Sequence, residues 1–235
     1  MLCLCDYRTP KDIIESLRKR GFETLLIPAD YSLPTPVNGH TDLNVFVCEG
    51  TVTLRSDYYE KHKELIDKIC ESAGLFPKLS EARAGDKYPL DCGLCAAVSG
   101  KSLLYCAKAT DALLVSRFSE AGYKLIEIPQ GYAKCSCAIL SDGAIITADK
   151  GIAKVTSAEG IDTLLISPGH VDLPGYSYGF IGGATGLCGD TLYFCGDLDL
   201  HPDSKVITEF AQKHGTKCVS LGKSKLYDVG SLIFI

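Results

Sequence analysis

Five times along the chain, apolar residues at helical spacing run into a glycine, and a short apolar strand follows. The first such helix is predicted to start at Thr9, with Pro10 at its first turn and Asp12 at capping-box spacing. Ile13, Ile14 and Leu17 form its apolar face, Gly21 ends it, and residues 25–28 read as a buried strand. The second helix spans residues 56–72 and ends at Gly74, with a weak strand at Leu75-Phe76. The third starts near Thr110 and ends at Gly122, before residues 125–129. The fourth runs from Asp149 to Gly160, before residues 164–168, and the fifth from Pro202-Asp203 to Gly215, before residues 218–221.

Each unit continues through a polar turn into a second strand: residues 43–47, 95–98, 138–140, 179–181 and 231–235. In four units a tight turn then leads to a third strand. The turns are Glu49-Gly50, Ser99-Gly100, Asp142-Gly143 and Gly189-Asp190. The fifth unit runs out of chain at Ile235, and Leu2–Cys5 would supply its missing strand. Repeated hairpins argue against an all-parallel doubly wound sheet, whose strands need crossovers. The pattern therefore predicts one α/β domain over residues 1–235, a five-bladed β/α-propeller of related ββαβ-type units.

In a closed wheel the polar turns before the second strands meet at the axis. They are residues 39–42 with His40 and Asp42, residues 90–93 with Asp91 and Cys92, and residues 131–136 with Lys134 and Cys135. The remaining two are residues 176–178 with Tyr178 and residues 227–230 with Asp228. An imidazole, carboxylates, an amine and thiols on converging turns suit acid–base or nucleophilic chemistry, whereas ordinary surface turns favour Gly, Asn, Ser and Pro. Each also has a plainer reading. His40 can bond its own loop, Asp42 and Asp228 can form turns, and Cys135 can be a buried thiol unless Lys134 and His40 lower its pKa.

Composition narrows the classes. The formal net charge is −5 with both signs interspersed, which disfavours nucleic-acid binding. No apolar run is long enough for a membrane span, and no signal peptide is recognisable, so a cytoplasmic protein is expected. The 12 cysteines then read as reduced thiols. Cys92-x-x-Cys95 with Cys135-x-Cys137 has zinc-like spacing. Yet Cys137 enters an apolar run, and the expectation is no metal and no cofactor. Gly182-Gly183-Ala184-Thr185-Gly186 lacks the lysine and the helix of a phosphate loop, so close backbone approach is its expected role. His201-Pro202-Asp203 reads as a helix start.

The strings at residues 130–136, 146–149 and 178–183, with His40-Thr41-Asp42 and residues 196–203, resemble an uncharacterised bacterial family of the guanidine-group-modifying (pentein) fold. That resemblance spans nearly the whole chain. It implies a small-molecule hydrolase or amidinotransferase acting on a guanidino, amidino or related C–N substrate in an axial pocket. Characterised pentein enzymes use a cysteine late in the fifth unit, and residues 227–235 contain none. The candidate catalytic residues are therefore His40, Lys134 and Cys135, and the candidate substrate-binding residues Asp42, Asp91, Tyr178 and Asp228. The alternative is a non-catalytic small-molecule-binding protein of the same fold. The expected partner is a small molecule, with neither nucleic acid nor membrane, and homo-oligomerisation is left open.

Overall fold

The computed structural model describes residues 1–235. The chain is α/β, with five separate three-stranded sheets of one topology and a two-stranded parallel pair, Val171–Asp172 with Leu226–Tyr227. In each of the five, an inner strand runs antiparallel to a middle strand, and a helix carries the middle strand into a parallel outer one. The first in sequence order combines Val45–Cys48, Thr51–Arg55 and Phe76–Ser80. The next is Ala97–Ser99, Ser102–Tyr105 and Lys124–Glu127. Then come Cys137–Ile139 with Ile145–Thr147 and Thr163–Leu165, and Thr185–Cys188 with Thr191–Phe194 and Lys217–Ser220. The last joins the two ends of the chain: Leu2–Asp6 pairs antiparallel with Ile233–Phe234 and parallel with Glu23–Ile27.

Local chemistry explains the punctuation. Gly74 takes the left-handed conformation that ends the helix Ser56–Ala73, with φ 63°. Glu49 and Gly50 both have positive φ, the geometry of a tight hairpin turn whose twist matches its strands. Asp111 and Asp149 cap the helices Ala112–Glu120 and Lys150–Ala158, each accepting two backbone N–H bonds. Asp149→Ala is expected to cost about 1 kcal/mol in chemical denaturation, the usual loss of an N-cap.

Some boundaries differ from the sequence reading. Thr9 does not cap the first helix, which spans Lys11–Lys19 after Pro10 and has no side-chain cap bond. Instead the Thr9 N–H closes a turn onto the Asp6 carbonyl. Residues 41–44 and 133–136 form single helical turns, so their strands begin at Val45 and Cys137. Residues 179–181 are not a strand. The inner strand of that unit is Thr185–Cys188, because the Phe180 N–H is taken by the Asp228 carboxylate and Gly182–Gly183 press against neighbouring turns.

Backbone bonds join the turns that precede the inner strands. Lys134 N–H donates to the Cys95 carbonyl, Gly183 N–H to the Cys135 carbonyl, Ser231 N–H to the Gly183 carbonyl, and Asp42 N–H to the Gly230 carbonyl. Between the first two sheets the contact is apolar, with Phe46 in one cluster with Leu94 and Ala96. These bonds hold the turn residues in register with one another.

Candidate active site

Asp42 sits on the helical turn Thr41–Asn44 and Cys135 on the turn Ala133–Ser136. Cys135 Sγ lies 3.1 Å from each Asp42 carboxylate oxygen and donates its S–H to that group. Ser231 Oγ donates to Asp42 Oδ2 at 2.6 Å, with the Gly182 carbonyl 3.0 Å away. In turn, Ser231 accepts from Lys134 Nζ at 3.0 Å. Cys95 Sγ lies 3.5 Å from Cys135 Sγ. All but Lys134 are buried.

Asp228 follows the strand Leu226–Tyr227, and its own N–H bonds the Asp172 carbonyl. Its carboxylate accepts from Phe180 N–H at 2.8 Å and Gly230 N–H at 2.9 Å. His40 Nδ1 lies 3.8 Å from Asp228 Oδ1 and has no hydrogen-bond partner, although the ring is buried. His40, Asp42 and Cys135 offer ligand atoms within 4.8 Å of one another, a donor set that a soft or borderline cation would accept. The four cysteines with zinc-like spacing divide instead between two apolar clusters, Cys137 in one and Cys92, Cys95 and Cys135 in the other.

A cavity of about 100 Å³ opens beside this group. His40, Cys135 and Asp228 line it together with Tyr132, Tyr176, Tyr178 and Phe180. Asp91 stands outside it and accepts from the Tyr132 hydroxyl, so it fixes that ring instead of facing the cavity. Lys134 also lies elsewhere: with Asp42 it faces a second cavity, on the inner strands. Of the seven residues singled out from sequence, then, His40, Cys135, Tyr178 and Asp228 share one cavity, and Asp42 bonds directly to Cys135.

Burial dominates the electrostatics. It raises the Asp42 carboxyl, against the opposing pull of His40, Lys134 and the Ser231 bond. It raises Asp228 to about 6, although two backbone N–H groups pull the other way. It lowers His40, which favours the neutral imidazole. Burial also pushes the Cys135 thiol well up, helped by Cys95 and the Asp42 carboxylate. Of the two alternatives the sequence leaves for Cys135, its burial beside Cys95 and the Asp42 carboxylate favours the neutral buried thiol.

Asp228 gives a pH-dependent prediction. Its folded pKa lies above the usual 3.8, so the folded state holds this proton more tightly. The resulting stability is full below about pH 4 and is lost as pH rises to about 6, roughly 3 kcal/mol in all. His40, shifted the other way, contributes stability that rises with pH up to its unfolded value. Urea denaturation at pH 4 and pH 8 isolates the Asp228 share, because Asp228→Asn is expected to remove that step.

Sequence reasoning missed Ser231, Phe180 and the carbonyl of Gly182, and weighed Cys95 only as a metal ligand. Ser231 has a left-handed φ of +66° and no exposed surface. For a residue other than glycine that conformation costs about 1 kcal/mol or more, and such outliers cluster at functional sites.

Five sheets of this topology, with polar groups gathered at the turns between them, define an α/β protein of the pentein fold. Solved structures agree on the fold. Dimethylarginine dimethylaminohydrolase from Pseudomonas aeruginosa, in complex with citrulline, matches with TM-score 0.57 and 10% identity, covering 94% of this chain and 91% of that one. An amidinotransferase of saxitoxin biosynthesis from Microseira wollei gives TM-score 0.57 and 11% identity, covering 94% and 88%. The N-terminal domain of a cyanobacterial arginine dihydrolase, bound to substrate, gives 0.55 and 11%, covering 94% and 91%. Among curated proteins no sequence matches. Residues 4–233 match the model of a family of unknown function, DUF6873, and the chain belongs to that family.

Proposed function

We propose that this protein is a hydrolase or transferase acting on a guanidino, amidino or related C–N substrate, with its five sheets set as blades around an axis. The observation that carries the reading is the cavity of about 100 Å³ in which Cys135, His40 and Asp228 face a ring of aromatic side chains. A planar cation suits this lining: Asp228 offers carboxylate oxygens, while Tyr132, Tyr178 and Phe180 offer π-faces. The fold similarity to enzymes that act on guanidino groups supports the same substrate class. The apolar contact of Phe46 with Leu94 and Ala96, and the backbone bonds between successive turns, support the radial arrangement.

In this reading Asp42 takes the thiol proton along the existing bond. A bound cation favours that transfer, because positive charge beside the sulfur stabilises the thiolate. The sulfur attacks the central carbon, an S–C bond forms, and a C–N bond breaks as the proton taken by Asp42 passes through the neutral His40 imidazole, within 4.8 Å of it, to the leaving amine. Water or an acceptor amine then displaces the sulfur, and its proton returns through His40 and Asp42 to the departing thiolate. Lys134 acts through Ser231 on the charge of Asp42, Tyr178 closes the cation against the ring, and Asp91 holds Tyr132.

A screen of guanidino and amidino compounds tests this, repeated with His40→Ala and Asp42→Asn. Turnover by the native protein that falls by about 10²-fold or more in both variants is expected. Turnover that survives both removes the assignment. Ligand affinity should rise with pH through about 6 as Asp228 ionises, and titration calorimetry at pH 5 and pH 7.5 checks it.

One observation favours a second reading, a binding protein without turnover: the Cys135 thiol is held strongly in its neutral form. It predicts a ligand-dependent rise in melting temperature and no product. A cytoplasmic location suits twelve unpaired cysteines, and no helix is long and apolar enough to cross a membrane.

A further inference from the structure

The second cavity is about 210 Å³ and touches the inner strands of all five sheets. Val47, Val98, Ile139, Leu187 and Phe234 each contribute apolar surface to it. All five are only half-buried, so the protein alone leaves this surface wet. The ionisable groups in its lining are Lys134 and Asp42.

These two groups are not equally satisfied. Both oxygens of Asp42 are engaged, by the Cys135 thiol and the Ser231 hydroxyl. The Lys134 ammonium has three donors, but its one hydrogen bond goes to Ser231 Oγ. No carboxylate lies within ion-pair distance of it. An ammonium with spare donors in the wall of an otherwise apolar cavity favours a single negative charge at the tip of an aliphatic chain.

We propose that this cavity binds a medium-chain aliphatic carboxylate, its head on Lys134 and its chain along the five inner strands. The head would gain a charge-assisted hydrogen bond, and the chain would cover apolar surface now in contact with water. The site is separate from the aromatic cavity and shares no wall residue with it. The proposal does not depend on the guanidino reading, because it requires no turnover.

Titration calorimetry of the full chain with octanoate, octanol, octylamine and acetate tests it. Octanoate is expected to bind saturably with unit stoichiometry and to raise the melting temperature. Octylamine and acetate should each bind at least about tenfold more weakly, one lacking the charge match and the other the chain. Lys134→Met should weaken octanoate by about tenfold or more and leave octanol unchanged. Val98→Phe narrows the cavity at a half-buried position and should weaken both chains, with circular dichroism reporting that the variant is folded. Cys135→Ala, which would silence guanidino chemistry, should still bind octanoate, so the two readings fail separately. The proposal is overturned if octanoate does not bind saturably, if octylamine binds as well, or if octanoate is indifferent to both Lys134→Met and Val98→Phe.

Discussion

Cys135→Ala is expected to abolish turnover of every guanidino substrate, by on the order of 10⁴ or more in kcat, while substrate still binds. In the proposed reaction the Cys135 thiol is the nucleophile, and it lines the aromatic cavity with its S–H bonded to Asp42. Serine at the same position keeps the bond to Asp42 but is a much poorer nucleophile near neutral pH, so Cys135→Ser should be nearly as inactive. Both variants should retain the ligand-induced rise in melting temperature, because Asp228 and the aromatic rings remain. That split between binding and turnover separates a reacting thiol from a merely structural one. A structural cysteine would lower stability and leave the kcat of the folded fraction unchanged.

Gly182→Ala is expected to destabilise the protein by about 3 kcal/mol or more, at the severe end for one added methyl. A Cβ at Gly182 would lie 2.2 Å from the Lys134 carbonyl, 2.5 Å from that of Cys137 and 2.6 Å from that of Cys135. All three are backbone atoms, two in the turn that carries Cys135 and one in the strand that follows it, so they cannot swing aside as a side chain would. At Gly183 the clash is with the Asp228 carboxylate, at 2.0 Å from Oδ1. The two glycines let the fourth unit's turn slide between the third and fifth. Gly183 there donates to the Cys135 carbonyl and accepts from Ser231 N–H. Chemical denaturation of Gly182→Ala should show a lower midpoint, and any folded fraction should lose the Cys135–Asp42 geometry and hence activity.

Much of the fold was legible because local chemistry punctuates it. Glycines that end helices and pairs such as Glu49-Gly50 mark each unit, and the pairing of Leu4 with Ile233 matches the strand exchange expected between the two ends. The inner turns were harder. Residues 41–44 and 133–136 are too short for a helical period to appear in sequence, where 41–42 and 133–136 read as polar turn and 43–44 as the start of a strand. Gly179-Phe180-Ile181 has the composition of a strand. Its backbone nevertheless serves Asp228, and the Phe180 ring lines the cavity, both of which depend on contacts from distant residues.

The candidate site divided in the same way. His40, Asp42, Cys135 and Asp228 could be named from the repeat, since residue types of that kind rarely gather on equivalent turns. Ser231 gave no signal, because a serine before an apolar strand is commonplace. Only its left-handed φ and its bond to Asp42 set it apart. Lys134 was read into the same cavity from its place beside Cys135. On a helical turn adjacent side chains diverge, and Lys134 faces the inner strands instead.

The most direct measurement is peptide mass spectrometry of the protein after acid quenching during turnover of a guanidino or amidino substrate. Formation of a thioether-linked adduct on the peptide carrying Cys135, absent from Cys135→Ala, is the predicted result. An unmodified Cys135 in a protein that turns the substrate over at full rate would contradict it.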